Sequence, residues 1–233
     1  MQKNLFSSFL EQLTDDFTPV VAPRIFQESY IPLDLSSENN TLKDVDISSS
    51  KAMEQYINEL LDESKAQVAY GGYLEKRAIY ERSLHFNRQD PNTARNIHLG
   101  VDLWIGSGTD VLAVLDGTIH SFQDNTNFGD YGPTIILKHL LENHTFYTLY
   151  GHLSRESLAS LKVGESVKKG QAIARLGSAL LNGDYAPHLH FQIIKDLQGK
   201  KGDYPGVCSK TDLQYFSENC PDPNLLLKIY LKL

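Results

Sequence analysis

The sequence is poor in sulfur: two cysteines and two methionines in 233 residues. That excludes a small disulfide-stapled scaffold. Cys208 and Cys220 both fall near the C-terminus. In a reducing compartment they are expected as free thiols, although their spacing could close a small loop. Long apolar runs are also missing, so no stretch reaches the length of a membrane-spanning helix. The opening segment MQKNLFSSFLEQLTDDFTPVV is interrupted by Glu11, Asp15 and Asp16, and no signal-peptide core is visible. A cytoplasmic protein is expected, or one exported by a route the sequence does not show. Excess positive charge is absent: 22 Lys and Arg stand against 29 Asp and Glu, a net charge of −7. This leaves no nucleic-acid footprint and counts against adhesion to anionic wall polymers or lipid. A P-loop, GxGxxG, a GxSxG elbow and HExxH are all lacking, which removes the common nucleotide-binding, serine-hydrolase and simplest zinc-protease readings.

What is present is an ordinary globular composition, 41% hydrophobic and 22% charged. The length suits one domain with additions, or two small ones. Residues 1–70 read as a helical and irregular extension. NLFSSFLEQL has helical periodicity, and FTPVVAPRIFQESYIPLDLSS is broken by three prolines. SSSKAMEQYINELLDES is a strong helix, with Ser50 as its cap and Met53, Tyr56, Ile57, Leu60 and Leu61 on one face. This extension would pack over an edge of the main domain or gate a site.

From residue 71 to 199 the pattern changes to short apolar alternations: HLGVDLWI, DVLAVLDGTIHSF, PTIILKHLL, HTFYTLYGHL, VGESVKKGQAIARLG and HLHFQII. Such spacing predicts a mainly β domain, a sandwich or barrel. LDGTI and GESVKKGQAI read as turn-bearing hairpin elements. Residues 200–233 read as a loop, GKKGDYPG, and a C-terminal helix with Asp222 at the cap and Pro223 at the first position.

Two segments carry chemistry. In HLGVDLWI, a strand period of two puts Leu99, Val101, Leu103 and Ile105 on one face and His98 and Asp102 on the other. In HLHFQI the same period sets Leu189, Phe191 and Ile193 against His188 and His190. His, Asp and His with an open fourth position make a plausible catalytic zinc site. A metal-bound water also needs a proton acceptor and donor, which histidine supplies near neutral pH. His152 of LYGHLS, beside a glycine, is the candidate, paired with His188. His139 reads as a structural hydrogen-bonding residue, and His85, His120 and His144 as surface or loop residues.

In this order, HxGxD, AVLDGTI, LYGHLS, VGESVKKGQAIARLG and PHLHF resemble the lysostaphin-type, LytM-like zinc endopeptidases over about residues 71–196. The resemblance implies a two-sheet, largely antiparallel β sandwich of the duplicated hybrid motif type, here with N-terminal helices and a short C-terminal one. It implies Zn2+ held by His98, Asp102 and His190, with His152 and His188 as the catalytic histidines. It also implies hydrolysis of a peptide bond in peptidoglycan or a muropeptide, often beside glycine; the charge and the lack of long apolar runs lead to the expectation of no nucleic-acid or membrane partner. The sequence departs from the family pattern at Gln192, where many members have Glu, and in the long turn GSALLNGDYA. Arg77 is the candidate for the family's arginine. Related domains also occur in multidomain cytosolic proteins, so a non-peptidase zinc-binding regulatory or accessory module is the alternative.

Overall fold

The computed structural model describes residues 5–22, 24–83, 86, 90 and 92–230. His85 and the extreme ends of both terminal segments lie outside the described residues.

The chain opens with α1 (Leu5–Glu11), which buries Phe6, Phe9 and Leu10. The proline-broken segment then leads into β1 (Tyr30–Pro32). Next comes α2 (Ser50–Ser64), burying Met53, Ile57 and Leu61, with Tyr56 and Leu60 half-buried beside them. Its cap is Ser49 and not Ser50: the Ser49 hydroxyl accepts from the Ala52 amide at 3.2 Å. Ser50 lies inside the first turn, where its hydroxyl is released for a distant contact. β2 (Val68–Gly71) follows and straddles position 70.

The β-rich body comprises β3 (Ile97–His98), β4 (Val101–Trp104), β5 (Asp110–Leu112), β6 (Gly117–Asn125), β7 (Gly132–Leu141) and β8 (His144–Gly151). It continues with β9 (Ser166–Val167), β10 (Ala172–Arg175), β11 (His188–Ile194) and β12 (Val207–Cys208), then α3 (Leu213–Asn219) and α4 (Asn224–Leu227). In α4 the N-cap is Pro223, while Asp222 still accepts from the Asn224 amide. The helix is short because Lys228 turns left-handed, at φ +53°.

Eight strands form one sheet in the order β1-β2-β4-β11-β8-β7-β6-β9. Every neighbouring pair is antiparallel except β1–β2. β5 with β10 and β3 with β12 form separate antiparallel ribbons. The protein is therefore mainly β. GESVKKGQAI is not a hairpin, because β9 pairs with β6 while β10 pairs with β5. LDGTI likewise hands the chain from the β5–β10 ribbon to the large sheet.

The large sheet is covered on both faces. On one, Leu103, Ile135, Tyr150 and Phe191 pack with Val111, Ile173 and Leu176 of the β5–β10 side. On the other, Ile136, Leu149 and Ile194 pack with Ile97, Tyr204, Cys208 and Cys220. All seven residues of β11 are consequently buried. The polar side of HLHFQI faces an enclosed cleft rather than open solvent, and a buried polar group must find a partner there.

Candidate metal centre and active site

The register of β4 against β11 sets His190 directly opposite Asp102. His98 arrives by another route. HLGVDLWI is not one strand; it breaks at Leu99–Gly100 into β3 and β4, which belong to different sheets. A Cβ on Gly100 would lie 2.7 Å from His190 Cε1 and 2.6 Å from the Phe191 carbonyl oxygen. Only glycine lets the chain pass the imidazole this closely. A bend, and not the strand period, brings His98 to Asp102.

The three side chains form a tight triangle. His98 Nε2 lies 2.8 Å from His190 Nδ1, and Asp102 Oδ1 lies 3.2 Å from the first and 3.1 Å from the second. The other ring nitrogens are committed outward. His98 Nδ1–H donates to the Gly72 carbonyl at 2.9 Å. The Gln192 amide nitrogen faces the Pro205 carbonyl at 3.1 Å, so its oxygen faces His190, and His190 Nε2–H donates to it at 2.9 Å. Both ring protons are thus spent away from the centre, and two imidazole lone pairs converge with a carboxylate. Three acceptors facing one another call for a cation. Their edges match the spacing of about 3.3 Å that tetrahedral ligands take at zinc bond lengths. The donor set therefore fits a metal ion.

Arg77 supports the triangle. Its guanidinium donates to Asp102 Oδ2 and to Glu75 Oε2, each at 2.5 Å, and lies over the Trp104 ring. Burial by itself pushes the Asp102 carboxyl up, but facing His98 and Arg77 carry it well below the usual carboxylate range. Burial lowers His98 to about 4, so its ring is neutral at neutral pH, as a ligand must be.

His152 and His188 stand beside this triangle, with ring centroids 4.2 Å apart. His152 follows the last residue of β8 at φ +63°, a conformation that side chains rarely adopt. It is pinned there by its amide to the Tyr131 carbonyl and by its own carbonyl to the Gly177 amide, both at 2.9 Å. Its ring Nδ1–H donates to the Asn182 carbonyl at 2.8 Å, and that of His188 to the Ala186 carbonyl at 2.7 Å. Carbonyls only accept, so both rings keep Nε2 as the basic nitrogen. Burial holds both rings below the ordinary histidine range, His152 well below it. His188 Nε2 lies 3.8 Å from Asp102 Oδ1.

All five residues line one cleft of about 240 Å³. Its walls include Trp104, Tyr131 and Tyr185, and the N-terminal part contributes Leu35, Met53 and Ile57. Tyr185 touches both His152 and His188 and donates to the Gly129 carbonyl at 2.8 Å. Sequence reasoning missed Tyr185, although the length of GSALLNGDYA was a visible signal. It also missed Tyr131, which no motif marked.

His139, His120 and His144 do not line the cleft. His139 is buried, donating to the Asp116 carbonyl and meeting the Thr148 hydroxyl, each at 2.8 Å. His120 and His144 sit on strands rather than loops, the first half-buried and the second exposed. Cys208 and Cys220 are both free and buried, and burial raises the two thiols to about 11 and about 12.

Three converging acceptors next to two neutral imidazoles make a candidate metal centre with two bases beside it. Residues 96–203 match the family described as Peptidase family M23. The chain is 34% identical over 120 residues to an "Uncharacterized metalloprotease" of Haemophilus influenzae, covering 51% of this chain and 23% of that protein. It is 31% identical over 134 residues to the Peptidoglycan DD-endopeptidase ShyC of Vibrio cholerae, 53% of this chain and 28% of that protein. With the Glycyl-glycine endopeptidase ALE-1 of Staphylococcus capitis it shares 42% identity over 96 residues, 41% of this chain and 24% of that one. The matches thus span about a quarter of the length of these relatives.

Proposed function

We propose that this chain is a zinc-dependent metalloendopeptidase acting on peptide bonds of peptidoglycan-derived or related short peptides, with residues 71–199 as the catalytic unit. The observation that carries the reading is the triangle of outward-protonated acceptors beside two imidazoles that present Nε2 to the same cleft. His98 would ligate through Nε2, Asp102 through Oδ1 and His190 through Nδ1. Zinc, when bound, supplies Lewis acidity that polarises the scissile carbonyl and acidifies a water. His152 or His188 accepts the attacking water's proton at Nε2, and the protonated ring then donates to the developing oxyanion. The Asn182 and Ala186 carbonyls hold both rings in the tautomer this needs. The names of the two endopeptidase relatives support the substrate class. We also read the large sheet and the β5–β10 ribbon, which share one apolar core, as the two layers of a duplicated hybrid motif.

Metal analysis with a cleavage panel of muropeptides and glycine-rich peptides tests the reading. The expected result is about one zinc per chain and cleavage that a chelator abolishes. A zinc-loaded protein that cleaves nothing in the panel would leave a non-peptidase zinc-binding module.

A further inference from the structure

The carbonyls that hold the two catalytic imidazoles come from one short bend. Asn182 accepts from His152 and Ala186 accepts from His188. Between them, Gly183 and Asp184 are left-handed, at φ +83° and +67°. The Asn182 side chain closes the bend on itself. Its oxygen accepts from the Tyr185 amide at 3.0 Å, and its nitrogen donates to the Tyr185 carbonyl at 3.1 Å. No regular element carries these residues; the amides of Asn182 and Asp184 bond the Ser178 and Ala179 carbonyls, and the Gly129 amide bonds the Gly183 carbonyl, each at 3.1 Å, so local backbone bonds hold only part of the bend.

Arg82 adds further ties. Its guanidinium donates to the Asp184 carbonyl at 2.6 Å and to the Ser48 carbonyl, just ahead of α2, at 2.9 Å. The same group lies over the Tyr185 ring at 4.4 Å and the Phe128 ring at 5.1 Å. Ser50, released from capping α2, donates to Asp184 Oδ1 at 2.6 Å. The Arg82 side chain is only 7% exposed. By contrast, among the described residues none of the side-chain contacts of Arg82 reaches a residue of the metal triangle.

We propose that Arg82, assisted by Ser50, is a positioning residue for the His152–His188 pair. It ties the bend 182–186 to the N-terminal segment at residues 48–50 and so fixes the two carbonyls that set the imidazole tautomers. The N-terminal segment thereby becomes part of the proton-handling apparatus. The kinetic arm of the test rests on the peptidase reading; the spectroscopic arm does not.

The experiment uses the full chain loaded with zinc and compares wild type, Arg82→Met, Arg82→Lys and Ser50→Ala. Three quantities are read: zinc affinity by chelator competition, imidazole tautomers by long-range proton–nitrogen NMR, and muropeptide turnover. In Arg82→Met, zinc affinity stays within about twofold, while His152 and His188 leave the single Nδ1–H form and kcat falls about tenfold or more, as expected for displaced catalytic groups. Arg82→Lys restores part of both signals. Ser50→Ala gives the same spectral change at smaller amplitude, and it decides the matter if Arg82→Met does not fold. Wild-type imidazole spectra in the variants would overturn the proposal. Parallel loss of zinc affinity would also overturn it, because Arg82 would then serve the whole cleft. If wild type cleaves nothing, the peptidase reading falls, yet the spectra still decide the role of Arg82.

Discussion

The metal triangle and the histidine pair share one cleft but are held by different parts of the molecule. The triangle hangs on regular structure. Asp102 and His190 face each other across β4 and β11, His98 is tied to Gly72 next to the end of β2, and Gln192 of β11 orients His190. The pair hangs on irregular structure. His152 is left-handed past the end of β8, and both rings are steered by carbonyls of the bend 182–186. Strand register is costly to shift, because a slip of one residue inverts every side chain. A bend with positive φ angles is set by its few tethers. Metal affinity and turnover should therefore respond to different substitutions.

The largest break in this comparison is Asp102→Ala. It removes a ligand and leaves the buried Arg77 without one of its two carboxylate partners, Glu75 remaining. Zinc affinity should fall by more than the roughly 100-fold that losing an outer partner costs, as measured by chelator competition. Gln192→Leu leaves the three ligands in place but removes the acceptor for His190 Nε2–H, together with the amide's bonds to the Pro205 carbonyl and Cys220 Sγ. Zinc affinity should drop about 10- to 100-fold, and Gln192→Glu, which keeps an acceptor, should recover most of it.

Away from the cleft, His139 offers a control on the sheet itself. Burial lowers its folded pKa from 6.5 to about 4. The unfolded chain therefore takes up the proton first, so stability is full above about pH 6.5 and is lost as pH falls toward 4. The loss from this group reaches about 3 kcal/mol, and denaturant titrations of wild type and His139→Gln across that window should read it. The smallest effect is expected at Ser49→Ala, which removes the cap of α2 and should cost about 1 kcal/mol in the same titration.

Much of this was legible where a local rule applied. The alternation of HLHFQI placed His188 and His190 on one side because the strand period is two. The helix over residues 50–64 followed from its apolar face. Motif order named five residues that the structure gathers in one cleft. What stayed hidden was non-local. His98 and Asp102 were paired for the wrong reason, since the break at Gly100 depends on where His190 comes to lie. The hairpin reading of GESVKKGQAI failed because its arms found partners in β6 and β5 rather than in each other. Ser49 and Ser50 are chemically alike, and only the distant Asp184 separates their roles. Arg82 carried no signal at all, as its tie to Asp184 crosses 102 positions of sequence.

The most direct test measures zinc affinity and peptide cleavage side by side in His188→Ala. The account predicts unchanged zinc binding, because the triangle is intact, with cleavage reduced by about 100-fold or more through loss of the proton-handling ring. Full cleavage in this variant, or zinc lost together with activity, would contradict it.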